Sequence, residues 1–327
     1  MLSTLPLGSN GPHIPALGLG CMGMSEFYGE TDDAQSLTVL QRAYDLGVRM
    51  FDTADMYGNG HNEELLARFL KQGNAKDAFI ATKFGIRKVS GEYARIIDNS
   101  PDYIRQACDA SLQRLGIEQI GLYYVHRAEA GRPIEETVQV LADLVQEGKI
   151  ARIGLSEVSA DTLRRAHGVH PVAAVQSEYS LVTRDMEAEV LPACRELGIA
   201  FVAYSPLGRG LLSGKLEREN LAEDDFRRSA PQFEDKALAA NNARLDTLRT
   251  IADQREATPS QVALAWVLAK GVFAIPGTKR LTWLEQNIAA ASLHLSADDI
   301  ARLDNAYAPG SFTGDRYTAE GMKGVNV

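Results

Sequence analysis

Cysteine is scarce and scattered in this chain. Cys21, Cys108 and Cys194 form no CxxC pair, which excludes a disulfide framework and a cysteine-held zinc site and fits a reducing compartment. Long apolar runs are missing too. No stretch reaches the ~18 residues of a membrane-spanning helix. The opening MLSTLPLGSNGPHIPALGLG has neither the basic start nor the unbroken apolar segment of a secretion signal. A cytoplasmic protein with no membrane partner is expected. Cations are short relative to anions, 34 against 43, and a formal charge of −9 leaves no broad basic surface for nucleic acid, though a local anion pocket is compatible with it. HxH and HExxH spacings are absent, so no metal site is expected, and His167 and His170 fall between a helix and the next strand.

What the chain does have is apolar content, 45% of 327 residues, enough for a large core. At ~150 residues per domain the length suggests two units, but α/β barrels of ~250 residues fold as one. Short runs rich in β-branched and aromatic residues recur at 17–19, 49–52, 79–83, 121–126, 151–156, 173–177, 200–204 and 272–275. Between them lie stretches of helical period at 33–46, 62–70, 101–115, 134–147, 160–167, 188–197, 236–255, 259–270, 281–290 and 297–307. Ser100-Pro101 and Gly116 bracket one of these as start and stop signals. Residues 208–236 break the rhythm and read as a lid or flexible loop. Eight strand-helix units without a compositional break predict an α/β protein, a single (β/α)8 barrel over residues 1–327 with an N-terminal hairpin and extra helices. A doubly wound sheet is the alternative, distinguishable only by strand order.

Barrel active sites gather at the C-terminal strand ends. Those ends here are polar in succession: Asp52, Lys83, His126, Ser156, Gln176 with Ser177, and Tyr204 with Ser205. Tyr57 follows five residues after Asp52. A phenol is a poor acid at neutral pH, and a neighbouring ammonium favours phenolate and so eases proton donation. Asp52 would neutralise that lysine, and His126 would orient a substrate oxygen. Together they suit carbonyl reduction. Taken singly, each has a plainer reading: an Asp52–Lys83 structural ion pair, a tyrosine packed at the barrel mouth, a core histidine.

The motifs LGLGCMGMS, GVRMFDTADMYGNGHNEELL, FIATKFG, LYYVHR, IARIGLSEVS, AVQSEYSL, AYSPLGRGLLSGK and IPGTKRLTWLEQN resemble the aldo-keto reductase superfamily in order and spacing over nearly the whole chain. The resemblance implies that Asp52, Tyr57, Lys83 and His126 form the catalytic tetrad of an NADPH-dependent oxidoreductase, with Tyr57 as general acid/base. It implies further that Ser156 and Gln176 bind the nicotinamide carboxamide and that Tyr204 stacks on the ring. Ser205, Pro206, Leu207, Gly208 and Gly210 would follow the pyrophosphate, and Gly20, Cys21 and Met22 would touch the nicotinamide ribose side. Ile275, Gly277, Thr278, Lys279 and Arg280 would lead to the adenosine 2′-phosphate, with Gln286 and Asn287 at the adenine; Asp52 would also border the cofactor. Trp283 stands where many relatives carry arginine, Glu157 where other branches carry asparagine, and Arg127-Ala128-Glu129 departs from His-Arg-x-Asp. The implied substrate is a small carbonyl or alcohol, and the implied assembly a monomer or small homo-oligomer. A regulatory or auxiliary NADP-binding subunit with little turnover is the alternative within the same superfamily. A glycosidase would need a second strand-end carboxylate to match Asp52, and Glu63, Glu64 and Glu157 do not provide one.

Overall fold

The computed structural model describes residues 2–72, 75–88 and 95–325. A two-stranded hairpin, β1 (Thr4–Pro6) and β2 (His13–Pro15), opens the chain. Eight parallel strands follow: β3 (Leu19–Gly20), β4 (Met50–Asp52), β5 (Phe79–Phe84), β8 (Leu122–Val125), β9 (Ile153–Ser156), β10 (Val172–Glu178), β11 (Ala200–Tyr204) and β12 (Phe273–Ala274). A second hairpin, β6 (Ile86–Lys88) with β7 (Arg95–Ile97), is inserted after β5. The strands pair in sequence order from β3 to β12, which excludes the strand reversal of a doubly wound sheet. Isolated bridges Leu17–Ala274 and Gly20–Gly277 close the ring, so this is a (β/α)8 TIM barrel. The first and last strands are shorter than their apolar runs suggest because this seam is made of single bridges and not a continuous ladder.

Outside the strands lie α1 (Asp33–Asp45), α2 (His61–Gln72), α3 (Pro101–Leu115), α4 (Ile134–Gln146), α5 (Ala160–Val169), α6 (Val190–Leu197), α7 (Asp235–Ala243), α8 (Asp246–Gln254), α9 (Pro259–Ala269), α10 (Leu281–Ala289) and α11 (Ala297–Ala306). Their ends follow local chemistry: Asp32 accepts from the Ala34 and Gln35 amides, a Thr258–Gln261 capping box opens α9, and Gly116 turns left-handed after α3. The helical period over 236–255 covers two helices, not one. At the break the Tyr307 hydroxyl donates to the Arg244 carbonyl (3.0 Å) and accepts from the Leu248 amide (3.1 Å), satisfying both interrupted ends.

The apolar residues divide between two layers. Leu40, Leu66, Ile104, Leu141, Leu163, Ile251 and Trp266 pack between helices and barrel. Met50, Ala81, Leu122, Tyr124, Ala174, Val202 and Phe273 fill the interior, where Leu7 and Ile14 of the N-terminal hairpin join them and plug the bottom. At Gly154 a Cβ would come within 2.3 Å of the Tyr124 ring, so the interior is filled to the point where one strand position must be glycine. The closed bottom leaves the C-terminal rim as the open end. Residues 208–233 carry four short 3-10 turns. Among the described residues no helix is long and apolar enough to cross a membrane.

Candidate active site

Backbone pairing brings the strand-end side chains together. Asp52 stands opposite Ala81 across β4–β5, and Lys83 opposite Tyr124 across β5–β8. The loop after β4 is tied down by Thr53 and Asp55 amides donating to the Ala81 and Lys83 carbonyls (2.8 and 3.0 Å), which swings Tyr57 back over Lys83. The His126 amide donates to the Phe84 carbonyl (2.8 Å), setting the imidazole beside the same strand.

The result is one connected cluster. Lys83 Nζ donates to Asp52 Oδ1, to the Thr53 carbonyl (2.8 Å) and to the Tyr57 hydroxyl (3.2 Å). Gln176 Nε2 donates to the other Asp52 oxygen (2.7 Å). The Tyr57 and His126 rings meet edge to face, 5.8 Å between centroids. Asp52, Tyr57, Lys83 and His126 are all buried. Burial pushes the Asp52 carboxyl above its ordinary range while Lys83 pulls it down. Burial also draws the Lys83 ammonium down, but Asp52 and Tyr57 outweigh it and its pKa ends raised. For Tyr57 burial wins over the lysine, so the phenol is held protonated. Lys83 therefore acts as a counterweight to desolvation and does not by itself make the phenol acidic.

The carboxamide candidates leave complementary groups available. Ser156 Oγ accepts from Arg127 Nη1 (3.2 Å), which orients its O–H outward as a donor, and Gln176 spends an N–H on Asp52, leaving the amide oxygen as an acceptor. A carboxamide needs one of each. Tyr204 ends β11 half-buried, its hydroxyl 2.9 Å from that of Tyr317. The segment after it is tightly folded: Gly208 and Gly210 amides donate to the Ser205 and Leu207 carbonyls (2.8 and 3.1 Å), with Ser205 at φ 48° and Gly210 at φ 97° around buried Pro206. Gly20, Cys21 and Ile275 to Gly277 lie together at the barrel seam, the Cys21 amide donating to the Asp52 carbonyl (2.9 Å), and Met22 begins a short turn beyond. Thr278 Oγ1 accepts from the Arg280 amide (3.1 Å) just before α10, which carries half-buried Gln286 and buried Asn287. Lys279 differs from expectation in its partners. Its ammonium donates to the carbonyls of Tyr28 (2.8 Å), Gly29 (3.2 Å) and Glu30, so all three donors hold the loop after β3.

The aldo/keto reductase family profile matches residues 16–308. The chain belongs to the aldo/keto reductase family. A curated relative, probable aldo-keto reductase 1 of Glycine max, is 44% identical over 319 residues, covering 97% of this chain and 92% of that one. Among solved structures a glycerol dehydrogenase from Gluconobacter oxydans superposes with a TM-score of 0.87 at 28% identity, covering 97% of this chain and 98% of that one. An aldo/keto reductase from Klebsiella pneumoniae, solved with NADP and acetate, gives 0.73 at 27% identity, covering 97% and 99%. Membership makes the protein an oxidoreductase acting on carbonyls and alcohols with a nicotinamide cofactor.

Several residues of this aldo/keto reductase escape a strand-end reading. Asn62, fully buried in the first turn of α2, donates to the Cys21 carbonyl (2.9 Å) and to Ser25 Oγ (2.7 Å) and accepts from Thr53 Oγ1 (2.7 Å), tying the first loop to the tetrad. An asparagine opening an otherwise amphipathic helix was the available signal. Glu178, Arg209 and Arg316 form a buried charge network beside Tyr204 with Glu157; Glu178 ends β10 one residue beyond the expected run, and no local pattern marks Arg209 or Arg316. Among the described residues no cluster of ligands could hold a metal ion.

Proposed function

We propose that the protein is an NADPH-dependent carbonyl reductase in which Tyr57 donates the proton to the developing alkoxide. The observation that carries this reading is the Tyr57 hydroxyl 3.2 Å from a lysine whose charge is balanced by Asp52. The bound nicotinamide supplies hydride. This chain's residues do the rest. Tyr204 offers a flat face for the ring, Ser156 and Gln176 fix the carboxamide and thereby which ring face points at Tyr57, and His126 orients the carbonyl oxygen. Tyr57 carries its proton at neutral pH and Lys83 offsets part of the burial that would make it harder to give up, so reduction is favoured there and alcohol oxidation rises only as the phenol ionises.

For the cofactor's adenosine end, the carbonyl partners of Lys279 support a division of labour. Arg280, exposed at the start of α10, is the residue to pair with a 2′-phosphate, whereas Lys279 holds the loop at residues 28–30. The hydrogen-bonded Asp52, Lys83 and Tyr57, with His126 packed against the Tyr57 ring, support turnover over binding alone. Steady-state oxidation of NADPH and NADH across a panel of aldehydes and ketones, with the reverse direction on alcohols, tests the proposal; cofactor binding without turnover of any carbonyl would sink it.

A further inference from the structure

The C-terminal tail crosses the rim over β9, β10 and β11 and is fastened at several points. Asn241 holds the Thr313 backbone from both sides, accepting from its amide (2.8 Å) and donating to its carbonyl (2.9 Å), and the Gln232 amide donates to the Asp315 carbonyl (3.3 Å). Arg316 then turns inward. Its guanidinium forms a two-pronged pair with Glu157 (3.0 and 2.7 Å) and lies 3.7 Å from Glu178. Glu178 is also held by Arg209 (2.5 Å), which donates to the Arg316 carbonyl. Glu157 and Glu178 are fully buried, and Arg209 and Arg316 nearly so. Glu157, at φ 56°, accepts the Glu178 amide as well (2.8 Å), so its carboxylate is committed to the network and not to a carboxamide.

This network adjoins the tyrosine assigned to the ring. Glu178 pairs with Tyr204 in the β10–β11 register, Tyr317 next to Arg316 meets the Tyr204 hydroxyl, and Arg209 lies 4.3 Å over the Tyr317 ring. On the other side Arg127, buried, donates to Ser156 Oγ and to the His126 carbonyl (2.7 Å), and among the described residues it has no ion pair. Three guanidiniums therefore face two carboxylates around the same rim, leaving a surplus of positive charge. An oxidised nicotinamide ring is a cation and the reduced ring is neutral. In a buried site that difference is felt strongly.

We propose that Arg316 determines which redox form of the cofactor the site prefers: by completing the positive surplus at the rim it disfavours the cationic oxidised ring and leaves the neutral reduced ring untouched. The inference rests on the assignment of Tyr204 to the nicotinamide. Its signature is asymmetric, because a charge acts on one redox form only.

The test is titration of NADPH and NADP⁺ against the intact protein, read by fluorescence quenching or calorimetry. Arg316→Gln should tighten NADP⁺ by about tenfold while NADPH changes little, the size expected of one charge acting across a medium of intermediate dielectric. Glu157→Gln should move the same ratio the opposite way, and Arg316→Lys should hold it near the wild-type value. A network that only tethers the tail would weaken both forms together in every variant, and that result overturns the proposal. So does an unchanged ratio. If Arg316→Gln fails to fold, Glu157→Gln decides through the sign of its shift. Wild-type protein that binds neither form would overturn the nicotinamide reading itself, whereas binding with an insensitive ratio overturns the role of Arg316 alone.

Discussion

Two sets of charges are buried at the same rim, and they are built differently. The tetrad cluster draws Asp52, Tyr57, Lys83 and His126 from three neighbouring strands and their loops, each side chain at or just past a strand end, with one cation facing one carboxylate. The opposite cluster joins Glu157 and Glu178 at strand ends to Arg209 in a turn and Arg316 in the tail, with residues 159 positions apart forming its closest fork. Burying an ion pair costs desolvation in both cases, and the return differs. In the first the lysine of the pair donates to the Tyr57 hydroxyl and partly offsets the burial that holds the phenol protonated. In the second it fastens an irregular segment beside Tyr204. A barrel keeps its proton chemistry on rigid strands and entrusts closure to loops, where contacts form between distant parts of the chain.

The sharpest break of that contrast is Tyr57→Phe. The substitution removes one hydroxyl from the tetrad and nothing from the tail side, so cofactor affinity should persist while carbonyl reduction falls by about 10²–10⁴. Single-turnover hydride transfer alongside a binding titration checks it. Retention of more than about a tenth of kcat with an unaltered pH profile would remove Tyr57 from the chemistry.

Lys83→Met tests whether the tetrad's ion pair also holds the fold. Asp52 would be left buried with Gln176 as its remaining polar partner, and stripping one member from a buried pair typically costs about 3–5 kcal/mol. Denaturant melts should show that loss. The pH–rate profile should move too, with the apparent pKa of the donor rising because the Lys83 charge and hydrogen bond that oppose the burial of Tyr57 are gone. A large stability loss with a superimposable profile would make Lys83 a structural partner alone.

How far the sequence discloses each region follows from the same difference. The strand ends are legible because a short apolar run must stop at the rim, and the residue at which it stops is named by the pattern. Asp52, Lys83, Ser156, Gln176 and Tyr204 all emerge this way, and the strand order confirms the barrel. His126 emerges with them just past its strand, whereas Tyr57, five residues into a loop, carries no period and is singled out by its chemistry beside Asp52 and Lys83 and by the resemblance. The tail was silent: nothing local distinguishes Arg316 from other arginines, because its partner is supplied only by tertiary closure. The break between α7 and α8 was hidden for a related reason, as the Tyr307 hydroxyl that caps both ends comes from beyond α11. The hairpin of β6 and β7 follows a barrel strand so closely that it merges with it in pattern.

A smaller effect separates the two adjacent cations just before α10. If Arg280 contacts a 2′-phosphate, Arg280→Ala should cost NADPH about 1.5–3 kcal/mol of binding and leave NADH nearly unchanged. Lys279→Met should instead weaken both cofactors alike and speed their release, because its donors hold the carbonyls of residues 28–30. Salt should weaken NADPH binding in the Lys279 variant as in wild type and less in the Arg280 variant. Identical discrimination in the two variants would return Lys279 to the phosphate.

A last test concerns a carboxyl in the loop after β4 that has no cation hydrogen-bonded to it among the described residues. Asp55 is reached by the Tyr103 hydroxyl at 3.3 Å, and burial pushes its pKa up to about 7, with Glu63 adding to the rise and Arg114 opposing it. A carboxyl whose pKa is higher folded than unfolded binds more protons in the native state between the two values. Stability from this group is therefore present at low pH and lost as pH climbs from the ordinary carboxylate range to about 7, with a limiting slope of about 1.4 kcal/mol per pH unit. Paired Glu157 has the opposite sign, since Arg316 and Arg127 outweigh its burial and hold its pKa low. Asp55→Asn should flatten the pH dependence of unfolding across that window and make the variant the more stable protein above pH 7, while wild type leads or matches it near pH 4. Chemical denaturation of both proteins at closely spaced pH values measures the difference directly. Parallel curves would mean that Asp55 is ionised throughout and that its neighbours solvate it better than its burial implies.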